Sequence, residues 1–210
     1  VFHLAAEMVS ETDGALEPEI IRGFLGAFQA IAPLDIGELW ALPLMLRLQL
    51  LECLRSLAIQ VDQQQRESEE ADFWANRLIT AVRHSSPRLL KIMEELVERY
   101  PEPTPHFASE LVAHLYDDEG ALPVVSGWLE RSLRSPLLDV MQQEHRHQAV
   151  QQAALTNAIN SCRLLTQIQW RELFQSLSWA ESELGADPAG VYARQDFETR
   201  DRSRSAVEEI

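Results

Sequence analysis

Apolar residues recur every three or four positions along most of the chain, which is the spacing of one helical face. In the segment that begins at Pro18, for example, Ile21, Phe24 and Phe28 fall on one side of a helix. No segment alternates apolar and polar residues as a half-buried strand does. The pattern therefore predicts an all-α fold, a multi-helix bundle, with at least half of the residues in helix and essentially no sheet.

Capping residues and prolines mark the expected helix ends. Asp35 can cap a helix at its N-terminus, and Glu38 three residues later completes a capping box. Pro43 is expected either to kink this helix or to end a short first portion. The polar stretch 60–70 is open to two interpretations, an exposed helical segment or a break.

Three prolines at positions 101, 103 and 105 form the clearest linker signal in the chain. We therefore expect two packed helical lobes, 1–100 and 101–210. The first lobe would contain a buried central helix, and the second would end in a charged docking helix.

The most apolar segment is 39–51, which carries apolar residues on nearly all sides of a helix. A helix of this kind is typical of a buried position. Arg47 lies inside it, and an unpaired buried guanidinium would cost several kcal/mol. We therefore predict that Arg47 is buried and forms a structural ion pair with Glu38, Glu52 or an acid from another helix.

The charge balance excludes some classes of partner. The 210 residues include 33 acidic and 18 basic ones, which gives a formal net charge of −15. Such a charge repels phosphate backbones and anionic lipid surfaces, so we expect no nucleic-acid binding. No apolar run approaches the 18 or so residues that a membrane span needs. Cys53 and Cys162 lie in helical patterns, where we interpret them as small buried residues in a reducing compartment.

Signatures of catalysis and metal binding are missing from the sequence. His145 and His147 would point to opposite sides of a helix, and Glu110 with His114 lacks the further carboxylates of a helical metal site. There is no phosphate-binding glycine loop, serine elbow or Asp-x-Asp pair. We interpret the acidic run 117–119 as a solvated turn. We thus expect no catalytic residue, cofactor or metal. Because the chain begins with Val1 in a helical pattern, we also expect it to be part of a larger protein.

Two sets of residues leave a binding role open. Arg200, Arg202 and Arg204 form the densest basic cluster, and Arg200 and Arg204 share one helical face. The cluster is either an ion-paired helix end or a docking surface, and we predict an exposed or poorly ordered docking helix. The tryptophans are interpreted mainly as core residues, with stacking on sugar rings as the alternative. They are Trp40, Trp74, Trp128, Trp170 and Trp179.

Two stretches, taken in order, resemble one protein family. The first reads LDIGELWALP at 34–43, MLRL at 45–48, LE at 51–52 and LR at 54–55. The second reads NAI at 157–159 and RLL at 163–165, passes Trp170, Phe174 and Ser178, and continues as DPAGVYAR at 187–194, DF at 196–197, TRDR at 199–202 and VE at 207–208. Both resemble the amino-terminal cytoplasmic region of bacterial cyclic β-1,2-glucan synthases, which precedes their glycosyltransferase domain.

The resemblance implies a large inner-membrane protein that builds a β-1,2-linked glucan from UDP-glucose, then cyclises and releases it. This chain would lie on the cytoplasmic side and would hold none of the catalytic parts. Its partners would be other domains of the same synthase. Two functions follow: a non-catalytic scaffold or interaction module, or a sugar- or nucleotide-binding regulatory module. Contact with glucan or UDP-glucose is left open.

Overall fold

The computed structural model describes residues 1–84, 88–116, 118 and 120–208. These residues form ten α-helices and one 3₁₀ helix, and none of them lies in a strand. The prediction of an all-α fold is confirmed. The helices are α1 (Phe2–Glu11), α2 (Pro18–Gln29), α3 (Ile36–Arg83), α4 (Arg88–Arg99), α5 (Pro105–Leu115), α6 (Leu122–Leu133), α7 (Leu137–Leu164), α8 (Trp170–Leu177), α9 (Trp179–Gly185) and α10 (Phe197–Glu208), with the 3₁₀ helix at Tyr192–Arg194.

Helix α3 is a single element of 48 residues. It passes through Pro43 and through the polar stretch 60–70 without a break. Pro43 therefore does not end the helix, and of the two interpretations of 60–70 the exposed helical one is correct. The long straight-chain residues of that stretch favour helix, which explains its continuity. Ser86 and Pro87, a serine–proline pair typical of a helix start, lie outside the described residues. The same holds for the acidic run 117–119, apart from Asp118.

The chain forms two compact units. Unit 1 comprises residues 1–55 and 153–210. Its core is built from the apolar faces of α1, α2 and the first part of α3, which pack with residues of α7 and α8. Leu39, Leu42, Leu46 and Leu50 form the α3 contribution at helical spacing, and all four are fully buried. One side of the most apolar helix is thus core.

Unit 2 comprises residues 56–152. Its core joins the second part of α3 to α4, α5 and α6. Phe107 is buried in this core and stacks on Tyr100, with the ring centroids 4.2 Å apart. The hydroxyl of Tyr100 donates a hydrogen bond to Glu70, and burial together with this carboxylate raises the pKa of Tyr100 to about 12.

This division differs from the lobes 1–100 and 101–210 expected from the sequence. The segment 101–105 lies inside unit 2, where Pro103 is buried and Thr104 caps α5 by accepting a hydrogen bond from the Phe107 backbone N–H. These prolines form a packed turn that starts a helix, because proline suits the first helical turn. Instead, α3 and α7 each contribute residues to both units.

Two close contacts involve glycines. In unit 1, Gly14 has a φ of +76°, and its carbonyl accepts a hydrogen bond from the buried Ser161 hydroxyl at 2.6 Å. The same Ser161 oxygen accepts from the Leu16 N–H at 2.8 Å, so it satisfies two backbone groups of the α1–α2 turn. In unit 2, a Cβ added to Gly120 would lie 2.4 Å from Val82 Cγ1, which leaves no room for a side chain without movement.

Candidate functional site

The two acids expected to pair with Arg47 have other partners. Glu38 forms the predicted capping box: its N–H donates to Asp35 Oδ1 at 2.6 Å, and its Oε2 accepts from the Asp35 N–H at 3.1 Å. Glu52 accepts hydrogen bonds from Arg55 at 2.5 and 2.9 Å on the helix surface. The hydrogen bonds from Arg55 hold the pKa of Glu52 below its ordinary value.

Arg47 itself is exposed, so the prediction that it is buried is wrong. Within the described residues it forms no ion pair with Glu38, Glu52 or any other acid. The physical reason is that this part of α3 is apolar on two faces, of which only one faces the core of unit 1. Arg47 lies on the other side of the helix.

The uncovered apolar face of α3 is formed by Trp40, Leu44, Leu48 and Leu51, which we call the outer face. These side chains are spaced by four, four and three residues and so lie along one stripe. They are 40%, 56%, 45% and 58% exposed. Arg47 lies three residues after Leu44 and four before Leu51, so it lies beside this stripe. The outer face lies within the stretch 34–55 that carries the first motif of the family resemblance.

Two of the three C-terminal arginines, Arg200 and Arg204, belong to an ion-paired cluster in unit 1 and not to an exposed surface. Arg204 is 1% exposed in its side chain; its Nη1 donates to Glu181 Oε2 at 2.6 Å and its Nη2 to Asp201 Oδ1 at 2.9 Å. Arg200 is partly buried and lies 3.5 Å from the second oxygen of Glu181. The prediction of an exposed docking helix is therefore wrong for Arg204. Of the three predicted docking residues, Arg202 is the exposed one.

Glu181 joins this cluster to the turn before α10. The Tyr192 hydroxyl donates to Glu181 Oε2 at 2.5 Å, and burial together with this carboxylate raises the pKa of Tyr192 to about 12. Asp187 positions the turn, because its carboxylate accepts from the N–H groups of Ala189, Val191 and Tyr192. These backbone hydrogen bonds hold the pKa of Asp187 below its ordinary value.

Unit 2 contains a polar cluster that the sequence did not indicate. His106 is buried, with Nδ1 2.9 Å from Glu144 Oε1 and Nε2 3.1 Å from Ser68 Oγ. The order serine, histidine, carboxylate matches that of a hydrolase triad. However, Nε2 lies equally close to the Gln64 backbone oxygen, and Ser68 lies within α3, where the backbone N–H groups form helical hydrogen bonds. No pair of free N–H groups is left there to stabilise an oxyanion, so the cluster is an interhelical hydrogen-bond network.

The described residues contain no group of three or more His, Cys, Asp and Glu side chains that could hold a metal ion. His114, one of the sequence candidates, lies 3.7 Å from Asp72. Cys53 and Cys162 are free thiols, half-buried against the core of unit 1, and burial raises the pKa of both. They are therefore less buried than expected from the sequence.

The tryptophans divide between core and surface. Trp74 and Trp128 are buried in unit 2, and Trp170 packs half-buried against the core of unit 1. Trp40 and Trp179 are each 40% exposed. The ring of Trp40 contacts that of Phe174 edge-on, so only part of the indole is available to a ligand.

In the part of the chain that the structure describes, no helix combines the length and the apolar character that crossing a bilayer requires.

The fold defines an all-helical protein of two compact units, each with its own core. Over 99% of its length, the chain is similar to the cyclic beta-(1,2)-glucan synthase NdvB of Rhizobium meliloti (strain 1021), with 29% identity over 212 aligned positions. This similarity confirms the resemblance to cyclic β-1,2-glucan synthases that the two motifs indicate. The chain spans 7% of the length of that relative. No protein-family model matches the chain.

Proposed function

We propose that this chain is a non-catalytic helical interaction module of a cyclic β-1,2-glucan synthase, on the cytoplasmic side of the bacterial inner membrane. Its role is to dock against another segment of the same synthase through the outer face of α3. The observation that supports this role best is the outer face itself, an uncovered apolar stripe within the first motif of the family resemblance.

The outer face has enough apolar area to contribute to docking. Full burial of a large apolar side chain is worth about 1.5–3 kcal/mol, and the four side chains are about half exposed. Covering them would therefore contribute roughly 3–6 kcal/mol before the cost of association, which is smaller when both segments belong to one chain.

The same face defines the chemistry of its partner. Arg47 would be desolvated by anything that covers Leu44 and Leu51, and a desolvated guanidinium needs a carboxylate. The partner segment is therefore an apolar helix face that carries an Asp or Glu opposite Arg47. Arg47 would thus pair with an acid of the partner segment, and not with Glu38, Glu52 or another acid of this chain as expected from the sequence.

The test is glucan synthesis by the full-length synthase carrying Leu44→Glu together with Leu48→Glu. Because both side chains are exposed, the helix should still form, and we expect normal protein levels with strongly reduced glucan output. Leu138→Glu, at a leucine that is 66% exposed on α7, is the matched control and should leave output unchanged. Wild-type output from the double variant would contradict the docking role.

The non-catalytic part of the proposal has its own test. The chain alone is expected to transfer no glucose from UDP-glucose and to hydrolyse none. Turnover by the purified chain that is lost on replacing one of its own carboxylates would contradict this part of the proposal and leave the docking test unaffected.

The alternative is a sugar- or nucleotide-binding regulatory module of the same synthase. A groove in unit 2 between α3 and α4 favours it, because this groove combines an exposed aromatic ring with cationic side chains. The two functions are compatible, since the groove and the outer face belong to different units.

A further inference from the structure

The two cysteines of the sequence lie on the core-facing sides of two different helices in unit 1. On α3, Cys53 comes three residues after Leu50, which is fully buried. On α7, Cys162 comes four residues after Ala158, which is also fully buried. Leu50 and Ala158 belong to one core, and both cysteines pack against it. At these spacings each thiol continues the buried stripe of its own helix.

The turn between α1 and α2 contacts α7 directly beside Cys162. The Gly14 carbonyl accepts a hydrogen bond from the Ser161 hydroxyl at 2.6 Å, and the Asp13 carbonyl accepts one from the Asn157 side chain at 3.3 Å. Ser161 precedes Cys162 in the chain, and Asn157 lies one helical turn before Ser161. The turn therefore lies against the part of α7 that carries Cys162.

Cys53 lies near the same turn and near the other thiol. Burial raises the pKa of the Cys53 thiol, and the negative charges of Asp13 and of a Cys162 thiolate raise it further. Such an effect indicates a short separation, because the interaction between charges falls with distance and is screened by water and salt. The turn, Cys53 and the end of α7 thus meet at one place, with both thiols packed on the same core.

The surroundings of the two thiols make Cys162 the better nucleophile. Burial raises the pKa of Cys162, but the guanidinium of Arg47 acts in the opposite direction. The charges that act on Cys53 are negative. Because the thiolate is the reactive form, a nearby cation favours reaction and a nearby anion opposes it. The thiolate therefore forms more readily at Cys162.

Positions 53 and 162 also lie on either side of unit 2 in the sequence. Unit 1 consists of two pieces of chain, 1–55 and 153–210, and the whole of unit 2 lies between them. Each piece contains one of the two cysteines. A bond between them would join the two pieces covalently and would close a loop that contains unit 2.

We propose that Cys53 and Cys162 form a reversible disulfide, a redox-sensitive cross-link that fastens the two pieces of unit 1, with hydrogen peroxide as the oxidant. The Cys162 thiolate attacks one peroxide oxygen, the O–O bond breaks and hydroxide leaves, so Cys162 becomes a sulfenic acid. The sulfur of Cys53 then attacks that of Cys162, the S–O bond breaks, and the S–S bond forms with loss of water. Two electrons pass from the sulfurs to the peroxide, and the two thiol protons end in two molecules of water.

Glutathione reverses the cross-link. Thiol–disulfide exchange with two glutathione molecules restores both thiols and yields glutathione disulfide. In a reducing compartment the bond is therefore open until oxidant accumulates, as is usual for redox-sensing pairs. This inference does not depend on the docking role of the outer face.

Treatment of the purified chain with hydrogen peroxide at low protein concentration tests the cross-link. We expect both free thiols to disappear together, the product to stay monomeric on a non-reducing gel, and a peptide pair joined through Cys53 and Cys162 to appear in the mass spectrum. The Tm should rise by about 10 °C and return on addition of dithiothreitol, because closing so long a loop restricts the unfolded chain. Cys53→Ser and Cys162→Ser are the matched controls and should show no such rise.

Trapping the sulfenic acid with dimedone identifies the thiol that reacts first. Cys53→Ser should be labelled at Cys162 at least about twofold faster than Cys162→Ser is labelled at Cys53. In the Cys53→Ser background, Arg47→Gln should slow labelling about twofold, the effect of one charge near the surface. Arg22→Gln, at an exposed arginine of α2, should leave the rate unchanged. Because burial keeps the thiol protonated, labelling should speed up about tenfold from pH 7 to pH 8.

Three outcomes would overturn the proposal. The first is that both thiols survive peroxide in the folded chain, or that they are oxidised to sulfinic acids without a cross-link. The second is a bond that forms only between two chains, or only after unfolding in urea. The third is equal labelling of the two single variants with no effect of Arg47→Gln, which would contradict the assigned order of reaction.

Discussion

Replacing Arg204 with Ala tests whether the C-terminal cluster stabilises unit 1. The side chain is 1% exposed and contacts Glu181 and Asp201 at 2.6 and 2.9 Å. Its guanidinium also lies 5.1 Å from the centre of the Phe197 ring. The substitution removes all of these contacts at once, so we expect unit 1 to be destabilised.

The size of the expected loss in stability depends on how buried Glu181 and Asp201 are and on which partners they keep. Removing one partner of a fully buried ion pair typically costs about 3–5 kcal/mol. Here Glu181 is 19% exposed and keeps Tyr192 and Arg200, and Asp201 is 34% exposed. We therefore expect a smaller loss, about 2–3 kcal/mol, which for a protein of this size corresponds to a lower Tm by about 4–12 °C.

Urea and thermal unfolding followed by circular dichroism measure this loss, with Arg202→Ala as the matched control. Arg202 is exposed on the same helix and should change the free energy of unfolding by less than about 0.5 kcal/mol. A double-mutant cycle of Arg204→Met with Glu181→Gln should give a coupling of about 1–2 kcal/mol. If Arg204→Ala and Arg202→Ala were equally stable, the cluster would not have the structural role assigned to it.

Three further predictions concern both units. In a spectrophotometric titration, Tyr100 and Tyr192 should ionise near pH 12. Their pKa values are about 10 in the unfolded chain and higher in the folded one, so the free energy of unfolding should fall as the pH rises from about 10 to about 12. Ionisation of all tyrosines near pH 10 in the folded chain would contradict this. Gly120→Ala should destabilise the protein by about 1–3 kcal/mol, because the added Cβ would clash with Val82. Gly127→Ala, inside α6 with open space around it, should stabilise the protein by about 0.5–1 kcal/mol. Chemical denaturation compares the two variants, and equal effects would refute the clash. Ser161→Ala should cost about 1–3 kcal/mol in the same assay because it leaves a buried N–H without an acceptor, and an unchanged midpoint would refute this.

Features with a local cause could be predicted from the sequence. The helical period and the capping box of Asp35 and Glu38 depend on residues within one or two turns of each other. The continuity of α3 through Pro43 was less predictable. A proline near the start of a helix removes one hydrogen bond, and the packing of the leucines around it in unit 1 offsets that loss.

The roles of the two arginine sites could not be predicted because they depend on distant partners. The apolar pattern of 39–51 shows two apolar faces of α3, but not which of them other helices cover. Arg47 was therefore expected to be buried, although it lies beside the outer face of α3, which other helices leave uncovered. In the same way Arg204 pairs with Glu181, 23 residues earlier, and the turn formed by Asp187 brings them together.

The groove was missed for a related reason. Phe73 and Lys91, two of its lining residues, lie on different helices, and no motif in the sequence marks either of them as a candidate site residue. A weak signal was present, because the chain has one lysine and it follows Arg88 by three residues in an acidic sequence. Only the antiparallel packing of α3 and α4, with Arg77 paired to Glu95, brings these residues to one groove.

The division of the chain also has a consequence for the order of folding during synthesis. Unit 2 is continuous in sequence, so it can fold as soon as residues 56–152 have left the ribosome. The core of unit 1 is complete only when Ala158, Leu165 and Phe174 have been synthesised, because these residues pack against the leucines of α1, α2 and the first part of α3. At about 5–20 residues per second, the residues of unit 2 delay this by roughly 5–20 s. During that time the nascent N-terminal helices expose their apolar faces, and they are the part of the chain that a ribosome-associated chaperone would bind.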